Sequence, residues 1–297
     1  MKNRLYQKFN KVDLTPYNSM RIESIADIFI VPINQDGLID AMRDFAQKKT
    51  ILIGNGTNII LSQQRYRSEY VFICTNLINN IYCCENQIIA SCGAKLSELA
   101  NFALSKSCIG FEFLEDIPGT VGGAVAMNAG ADGHSINELV RQVTYFDIVN
   151  NEVKQIVDLD QIFDHRSSFF KKKRLAVIET SFECKKGKDK NIMKKIFDYK
   201  KKRFSRQPRE FPSSGCMFRG VKVNGQKTQS RQVSEIIKTL KLQGEKIGGA
   251  MISEKHPNFI VNTGRATGSD CLKLVRLCQN RAKKELGVNL LCEYVII

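Results

Sequence analysis

The chain has 297 residues, of which 43% are hydrophobic and 8% aromatic, enough for an ordinary core and for two domains or one large domain with an appendage. No run reaches the roughly 18 uninterrupted apolar residues of a membrane span, and the basic N-terminus lacks the apolar core of a signal peptide. These features predict a cytoplasmic protein. The net charge of +15 invites a nucleic-acid interpretation, but the basic runs hold few aromatic residues for base stacking. An anionic small substrate is the better explanation of the charge.

The ten cysteines and three histidines are scattered along the chain. No two cysteines form a C-x-x-C pair, and there is no sign of secretion. The cysteines are therefore predicted to be free thiols, mostly small buried residues. Because histidines and cysteines do not cluster, the sequence predicts no metal site.

Strands and helices alternate in the first part of the chain. Apolar residues at helical spacing predict helices at 36–47 and 96–105, and short apolar runs predict strands at 28–31, 50–53, 70–74 and 87–92. Two further predicted strands, 141–149 and 152–157, flank Asn150-Asn151 as a hairpin. A strand at 175–184 follows.

The charged, glycine-containing run at 185–190 is the predicted domain boundary. A basic helix is predicted at 191–204 after it. The remaining predicted elements are helices at 233–240 and 270–286 and strands at 258–262 and 290–297.

The segment from Asp116 to Gly130 is rich in glycine and other small residues and nearly free of charge. Glycine loses the most backbone freedom on folding, so such a run is kept where something must approach the backbone closely. Its N–H groups suit a phosphate or a flat cofactor, while a buried turn against a strand is the structural alternative. A second loop, 54–58, follows a strand but lacks the third glycine and the helix of a Rossmann dinucleotide turn.

Five segments resemble, in chain order, the UDP-N-acetylenolpyruvoylglucosamine reductase family: GNGTNII, IPGTVGGAVAMNAGA, HRSSFF, SSGCMFR and SEKHPNFIVNTGRAT. The resemblance extends from about residue 17 to the last residue, and its second segment is the most specific. It implies an α+β fold, with an FAD-binding PCMH domain of the vanillyl-alcohol-oxidase type at 20–186, built from two α+β subdomains. An N-terminal segment at 1–19 would precede it, and a C-terminal α+β substrate domain at 187–297 would follow. The chain has no room for the insertion of the longer class, so it resembles the shorter, type II class.

The resemblance implies an FAD-dependent UDP-N-acetylmuramate dehydrogenase. In such an enzyme NADPH reduces FAD and leaves, and the enolpyruvyl ether of UDP-N-acetylglucosamine takes its place. Flavin N5 then gives hydride to the terminal vinyl carbon, and a proton must reach the internal carbon. The product, UDP-N-acetylmuramate, is a peptidoglycan precursor. Expected partners are the enolpyruvyl nucleotide and NADPH, with neither nucleic acid nor membrane, and the protein is expected to be a monomer.

The resemblance assigns FAD binding to the two glycine-rich loops, whose N–H groups would face the pyrophosphate and the isoalloxazine edge. The residues expected to hold FAD are Gly54, Asn55, Gly56, Thr57, Asn58, Pro118, Gly119, Thr120, Gly122, Gly123, Asn128, Ala129 and Gly130.

Three residues match the family's catalytic positions. Arg166 is expected to grip the substrate carboxylate and stabilise the charge that develops there, because a guanidinium stays ionised and donates two parallel hydrogen bonds. Cys216 stands where the family usually has a proton-donating serine; a thiol, with an ordinary pKa near 8.5, is a much stronger acid than an alcohol. Glu293 is the expected second acid or hydrogen-bonding group.

The substrate diphosphate is expected to be bound by three arginines, Arg203, Arg206 and Arg219. This chain departs from the family pattern at several other positions near the site: Glu23, Ser24, Asp132, His165 and Gly220. The motif around His256 is expected to be mainly architectural. Two alternatives stay open: another FAD oxidoreductase of the same fold, or a catalytically silent protein that binds flavin or nucleic acid.

Overall fold

The computed structural model describes residues 4–172, 175–187, 192–223, 226–229 and 231–297. Its α-helices are α1 (Gln35–Asp44), α2 (Leu96–Ser105), α3 (Val121–Met127), α4 (Phe169–Lys172), α5 (Ile192–Arg206), α6 (Arg231–Thr239) and α7 (Gly268–Leu286). Its strands are β1 (Tyr6–Asp13), β2 (Ile25–Pro32), β3 (Lys49–Ile53), β4 (Ile59–Ile60), β5 (Arg65–Tyr66), β6 (Tyr70–Cys74), β7 (Ile81–Cys84), β8 (Gln87–Ser91), β9 (Cys108–Ile109), β10 (Gly130–Ala131), β11 (His134–Ser135), β12 (Val140–Asp147), β13 (Glu152–Ile156), β14 (Phe163–Asp164), β15 (Ser167–Ser168), β16 (Leu175–Glu183), β17 (Lys185–Lys186), β18 (Ser213–Cys216), β19 (Phe218–Val223), β20 (Gln226–Gln229), β21 (Lys246–Ile247), β22 (Ala250–Ile252), β23 (Phe259–Asn262), β24 (Asn289–Cys292) and β25 (Val295–Ile296).

The chain divides into two compact units. Unit 1 consists of Met1–Val12, Ala26–Asn55 and Arg67–Arg203, and unit 2 of Asp13–Ile25, Gly56–Tyr66 and Phe204–Ile297. Residues 188–191 lie outside the described residues, and with them the end of the predicted boundary run and the predicted start of the basic helix. None of the described helices is both long and apolar enough to cross a membrane.

The first sheet of unit 1 has the order β1-β2-β6-β3, with β2, β6 and β3 parallel. Helix α1 connects β2 to β3, which lie on either side of β6, because parallel strands of one sheet need such a crossover connection. The side chain of Asn34 caps α1 by accepting the N–H of Gly37 at 2.9 Å, and the buried face of the helix packs on the sheet through Leu38 and Met42. Burial of this face explains the helical spacing of apolar residues in the sequence.

The second sheet of unit 1 has the order β13-β12-β16-β8-β7, and its described pairings are antiparallel. Helices α2 and α3 cover it, and Leu99, Val125 and Val177 belong to the same buried cluster. The hairpin of β12 and β13 confirms the predicted turn, with Asn151 in the left-handed conformation at φ +56°. Two strands of this sheet, β8 and β12, precede and follow the glycine-rich segment 116–130 in the chain.

One cysteine prediction is wrong. Cys108 and Cys184 form a disulfide, while the other eight cysteines are free thiols, as expected. Strand β9 pairs in antiparallel with β17, and Cys108 in β9 lies opposite Lys186 in β17. Because Cys184 is only two residues before Lys186, this pairing brings the two cysteines together. A sequence separation of 76 residues gave no sign of this pairing.

Unit 2 contains a sheet of order β18-β23-β22-β21 and a second of order β20-β19-β24. Helix α7 packs against β24, β22 and β21. It begins with a capping box between Thr267 and Asp270 and ends at Gly287, which is left-handed at φ +69°. The mixture of helices, a parallel sheet and antiparallel sheets confirms the predicted α+β class.

Candidate active site

Gly54, at the start of the first glycine-rich loop, lies beside the second loop within unit 1. A Cβ atom added to Gly54 would lie 2.3 Å from Oγ1 of Thr120, so no larger residue fits there. Thr120 is buried and forms an antiparallel bridge with Lys95, and the N–H of Leu96 binds the carbonyl of Gly119 at 3.2 Å. The start of the second loop is therefore fixed against the first.

Part of the long glycine-rich segment is the short helix α3 rather than a loop. The N–H of Val121 binds the carbonyl of Ala94, and the N–H of Gly122 binds that of Cys92, both at 2.8 Å. The expectation that N–H groups of this segment face a cofactor is therefore wrong for these two residues. Gly122 is needed for packing, since its Cβ would lie 2.9 Å from Cβ of Cys92.

Gly123 differs from its neighbour. It is exposed, and the nearest heavy atom to an added Cβ would be Oγ1 of Thr120, at 3.6 Å, which is ordinary contact. Packing thus does not explain the absence of a side chain here. An exposed backbone without side chains suits close approach by a flat ring system, so this surface fits the isoalloxazine of FAD.

Asn128 joins this surface to the predicted catalytic arginine. It ends α3 in the left-handed conformation at φ +45°, and its buried side chain donates to the carbonyl of Asp164 at 3.0 Å. The guanidinium of Arg166 donates from Nη1 to the carbonyl of Asn128 at 3.3 Å and from Nη2 to that of Gly130 at 2.5 Å. Arg166 therefore lies at the end of the glycine-rich segment, within unit 1.

Cys216 lies at a β-bulge in unit 2. Ser213 pairs with Val261 and Cys216 with Phe259, so one extra residue is inserted in β18. Gly215 has φ +76°, a left-handed conformation that glycine adopts without strain, as one type of bulge requires. Bulges re-aim the side chains beside them, and this one sets the direction of Cys216.

Glu293 lies next to Cys216 in the same unit. The N–H of Glu293 binds the carbonyl of Met217 at 2.8 Å, and the carbonyl of Glu293 accepts a hydrogen bond from Nδ2 of Asn58 at 3.2 Å. The side chain of Asn58 therefore contacts the segment that carries Glu293. Three residues that the family resemblance assigned to the site, Asn58, Cys216 and Glu293, are thus brought together within unit 2.

The three predicted diphosphate-binding arginines differ in their surroundings. Nε of Arg203 lies 3.3 Å from a carboxylate oxygen of Asp116, and both side chains are largely buried. Among the described residues, Nε of Arg219 is buried without a hydrogen-bond partner, and Arg206 is exposed. A buried orphan donor favours a ligand at Arg219, because an unsatisfied buried polar group is costly.

The second half of α5 forms two further ion pairs within unit 1. Nζ of Lys200 lies 2.8 Å from Oε1 of Glu115, and Lys202 pairs with Asp132. Together with Arg203 and Asp116, these pairs tie α5 to both flanks of the glycine-rich segment. Part of the basic charge noted in the sequence is therefore compensated inside the protein.

Sequence reasoning missed two contributors to these surroundings. One is Tyr294, whose buried hydroxyl donates to the carbonyl of Gly215 at 2.9 Å. The other is the pair of Lys202 and Asp132; Asp132 stood out as a departure, but nothing in the sequence pointed to its partner. Among the described residues, no group of three metal-binding side chains occurs.

Arg166 belongs to unit 1, whereas Cys216 and Glu293 belong to unit 2. The convergence of all three on one substrate stays a prediction.

Family models match two parts of the chain: an "FAD binding domain" at residues 26–158, and the "UDP-N-acetylenolpyruvoylglucosamine reductase, C-terminal domain" at residues 207–297. The reductase of that name from Caldanaerobacter subterraneus subsp. tengcongensis is 34% identical over 95% of this chain and 90% of its own length. The one from Francisella tularensis subsp. tularensis is 31% identical over 96% of this chain and 99% of its own length. The crystal structure of the Thermus caldophilus reductase, 24% identical, covers 98% of both chains with a TM-score of 0.76, and so shares the fold.

Proposed function

Because the chain belongs to the UDP-N-acetylenolpyruvoylglucosamine reductase family, we propose that it reduces UDP-N-acetylglucosamine enolpyruvate to UDP-N-acetylmuramate with electrons from NADPH. It is an FAD-dependent oxidoreductase with the PCMH-type α+β fold of that family. The observation that carries the proposal is identity above 30% over nearly the whole length of both chains. Both the FAD-binding domain and the C-terminal domain of the family are thus represented.

When bound, FAD would supply the hydride transfer between NADPH and the vinyl carbon of the substrate. The exposed backbone at Gly123 and the neighbouring loop at Gly54 are the surfaces that suit the cofactor. Apart from Gly122, whose N–H is bound to the carbonyl of Cys92, we assign the remaining predicted loop residues to the same task, through their backbone rather than their side chains. At Asn128 this restriction follows from its amide, which is engaged with Asp164.

Arg166 binds the carboxylate of the substrate in this proposal. As hydride adds to the vinyl group, negative charge spreads onto that carboxylate, and a fixed guanidinium stabilises it. Hydrogen bonds to the carbonyls of Asn128 and Gly130 hold the guanidinium in place before the substrate arrives. Such preorganised stabilisation lowers a barrier by roughly 3–4 kcal/mol.

Cys216 donates the proton to the internal carbon. Its thiol replaces the family's usual serine hydroxyl and is the stronger acid of the two. The bulge at Gly215 supports this role, because it fixes the side-chain direction of the next residue. Glu293, attached to the same backbone through Met217, supplies the second acid or hydrogen-bonding group.

Arg206 and Arg219 bind the substrate diphosphate, and Arg203 assists from its position beside Asp116. The unpartnered buried Nε of Arg219, among the described residues, supports this assignment. The functional domains proposed for this reaction are residues 20–186 for FAD and 187–297 for the nucleotide, after an N-terminal segment at 1–19. We propose a cytoplasmic monomer without nucleic-acid partners, acting in peptidoglycan precursor synthesis.

The test separates the two half-reactions. FAD-loaded protein is mixed anaerobically with NADPH, and loss of flavin absorbance reports reduction. The reduced protein is then mixed with UDP-N-acetylglucosamine enolpyruvate, and return of the absorbance with formation of UDP-N-acetylmuramate by mass spectrometry reports turnover. A reduced flavin that this substrate does not reoxidise contradicts the proposal and favours another FAD oxidoreductase.

The variant Cys216→Ala is expected to keep flavin reduction by NADPH and to lose substrate turnover, whereas Cys216→Ser keeps part of it. Cys83→Ala is the matched control, because Cys83 is an exposed free thiol. Normal turnover in Cys216→Ala means that another group donates the proton.

A further inference from the structure

The short hairpin of β10 and β11 follows the glycine-rich segment and reverses direction at Asp132 and Gly133. Gly130 pairs with Ser135 and Ala131 with His134, which leaves a two-residue turn. Both turn residues are left-handed, with φ +55° at Asp132 and +93° at Gly133, as a type I′ turn requires. Asp, Asn and Gly all suit the first position of such a turn, so conformation alone does not require a carboxylate there.

The carboxylate has a charged partner instead. The side chain of Asp132 is only 12% exposed and pairs with Nζ of Lys202 on α5. Burying a carboxylate without a partner is costly, so the turn is stabilised where it meets α5. Glu138 fixes the other strand of the hairpin, since it accepts the N–H of Ser135 at 2.8 Å and lies 2.9 Å from Nδ1 of His134.

The other end of this hairpin holds Arg166. The carbonyl of Gly130, in β10, accepts from Nη2, and the carbonyl of Asn128 accepts from Nη1. When two different nitrogens of a guanidinium each donate to a carbonyl, the two hydrogen bonds fix both its position and its plane. A shift of the hairpin therefore moves the Gly130 carbonyl and reorients Arg166.

We propose that Lys202 and Asp132 are positioning residues for Arg166, acting through the hairpin of residues 130–135. Their effect on the reaction rests on the proposed function, in which Arg166 binds the substrate carboxylate. Loss of the pair leaves the FAD-binding surface at Gly123, on α3, in place and lets the guanidinium turn away from its productive orientation. The expected loss therefore falls on substrate turnover rather than on flavin reduction.

Two single variants test the pair. Asp132→Asn keeps a residue that favours the turn and removes its charge, and Lys202→Gln removes the charge of the partner. Each is expected to slow reoxidation of reduced enzyme by the enolpyruvyl nucleotide about 10-fold, with FAD affinity and NADPH reduction within about twofold of wild type. The double variant is expected to lose no more of this reoxidation rate than either single variant. Lys202→Arg, which keeps the positive charge, is expected to keep most of the wild-type rate.

A second readout needs neither substrate nor activity. In nitrogen-15 NMR spectra of arginine side chains, two bound Nη groups hinder rotation of the guanidinium and give separate signals. The signals of Arg166 are identified by their loss in Arg166→Lys. We expect them to merge or broaden in Asp132→Asn and Lys202→Gln, and to persist in Asp40→Asn, which removes the exposed pair of Asp40 with Arg43 in the same unit.

Unchanged Arg166 signals in both single variants, or additive rate losses in the double variant, overturn the proposal. If the wild type does not turn over the enolpyruvyl nucleotide, the proposed function fails, and the NMR comparison alone decides whether the pair positions Arg166.

Discussion

The hydroxyl of Tyr294 donates a 2.9 Å hydrogen bond to the carbonyl of Gly215, the residue before Cys216. Tyr294 is almost fully buried, and burial raises the pKa of its phenol well above the ordinary value, so the hydroxyl keeps its proton and remains a donor. The C-terminal segment thereby braces the bulge that directs Cys216.

The variant Tyr294→Phe is expected to lower the free energy of unfolding by about 1–3 kcal/mol, because it removes the donor of a hydrogen bond to a partly buried carbonyl. Substrate turnover is expected to fall while flavin reduction by NADPH stays normal. Urea unfolding and the two half-reactions measure these effects. Tyr82→Phe is the control, since the Tyr82 hydroxyl is exposed and lies 3.5 Å from Glu179. Equal stability losses in both variants contradict the bracing role.

The neighbouring glycines of α3 are expected to respond differently to alanine. Gly123→Ala adds a methyl group to an exposed helix position, which favours the helix by up to about 1 kcal/mol but places a side chain where FAD approaches. Its FAD affinity is expected to fall at least about 10-fold without loss of apoprotein stability. Gly122→Ala is expected to cost about 1–3 kcal/mol of stability, because the methyl group meets Cys92.

FAD titration followed by fluorescence, with urea unfolding of the apoproteins, separates the two effects. Unchanged FAD affinity in Gly123→Ala contradicts the assignment of this surface to the cofactor.

The disulfide of Cys108 and Cys184 predicts a thiol count. Denatured protein prepared without reductant is expected to react at eight thiols, and reduced protein at all ten. The 76-residue separation predicts about 4 kcal/mol of stabilisation from the constrained unfolded chain, which reductant removes. If denatured protein that has not been exposed to reductant reacts at ten thiols, the disulfide of Cys108 and Cys184 is contradicted.

His256 predicts a pH dependence of stability. Burial against Phe259 lowers the pKa of His256 below its usual 6.5, and the positive charges of Lys238 and Arg206 act in the same direction. The unfolded chain therefore takes up a proton first as the pH falls through 6.5, and the native state loses stability until the pH reaches the lower folded pKa.

Urea unfolding at about pH 8 and about pH 5 measures how much free energy of unfolding is lost as the pH falls. This loss is expected to be smaller for His256→Gln than for the wild type. At about pH 8 the histidine is neutral in both the folded and the unfolded protein, so the difference between the two proteins at this pH gives the packing cost of the substitution separately. An equal loss in both proteins assigns the pH dependence to other groups.

Elements that bury one regular face were predictable from the sequence. Helix α2 occupies Leu96–Ser105 as predicted, because its buried positions recur at helical spacing. The neighbourhood of Cys216 and Glu293 was foreseen only through family resemblance, since the two residues are 77 positions apart in the chain and meet through the pairing of β19 with β24.

Other features left no local signal. Helix α3 lies in a glycine-rich run that pattern reasoning treats as a loop, and it forms because Ala94 and Cys92 accept its first N–H groups. The predicted strand at 290–297 is two strands, β24 and β25, broken at Glu293 and Tyr294, because β24 pairs with β19 and β25 with β4. Strand β1 was missed since most of its side chains are exposed.

Strand β4 pairs in parallel with β25, so Ile59 aligns with Val295, and the side chains of Ser62 and Tyr66 donate to the carbonyl of Ile297. During synthesis on the ribosome, β4 emerges long before its partner exists. Unit 2 therefore completes its folding only after translation has passed all three segments of unit 1, whose core can form earlier. The part of the enzyme that carries Cys216 and Glu293 is therefore assembled in the nascent protein after the segments of unit 1.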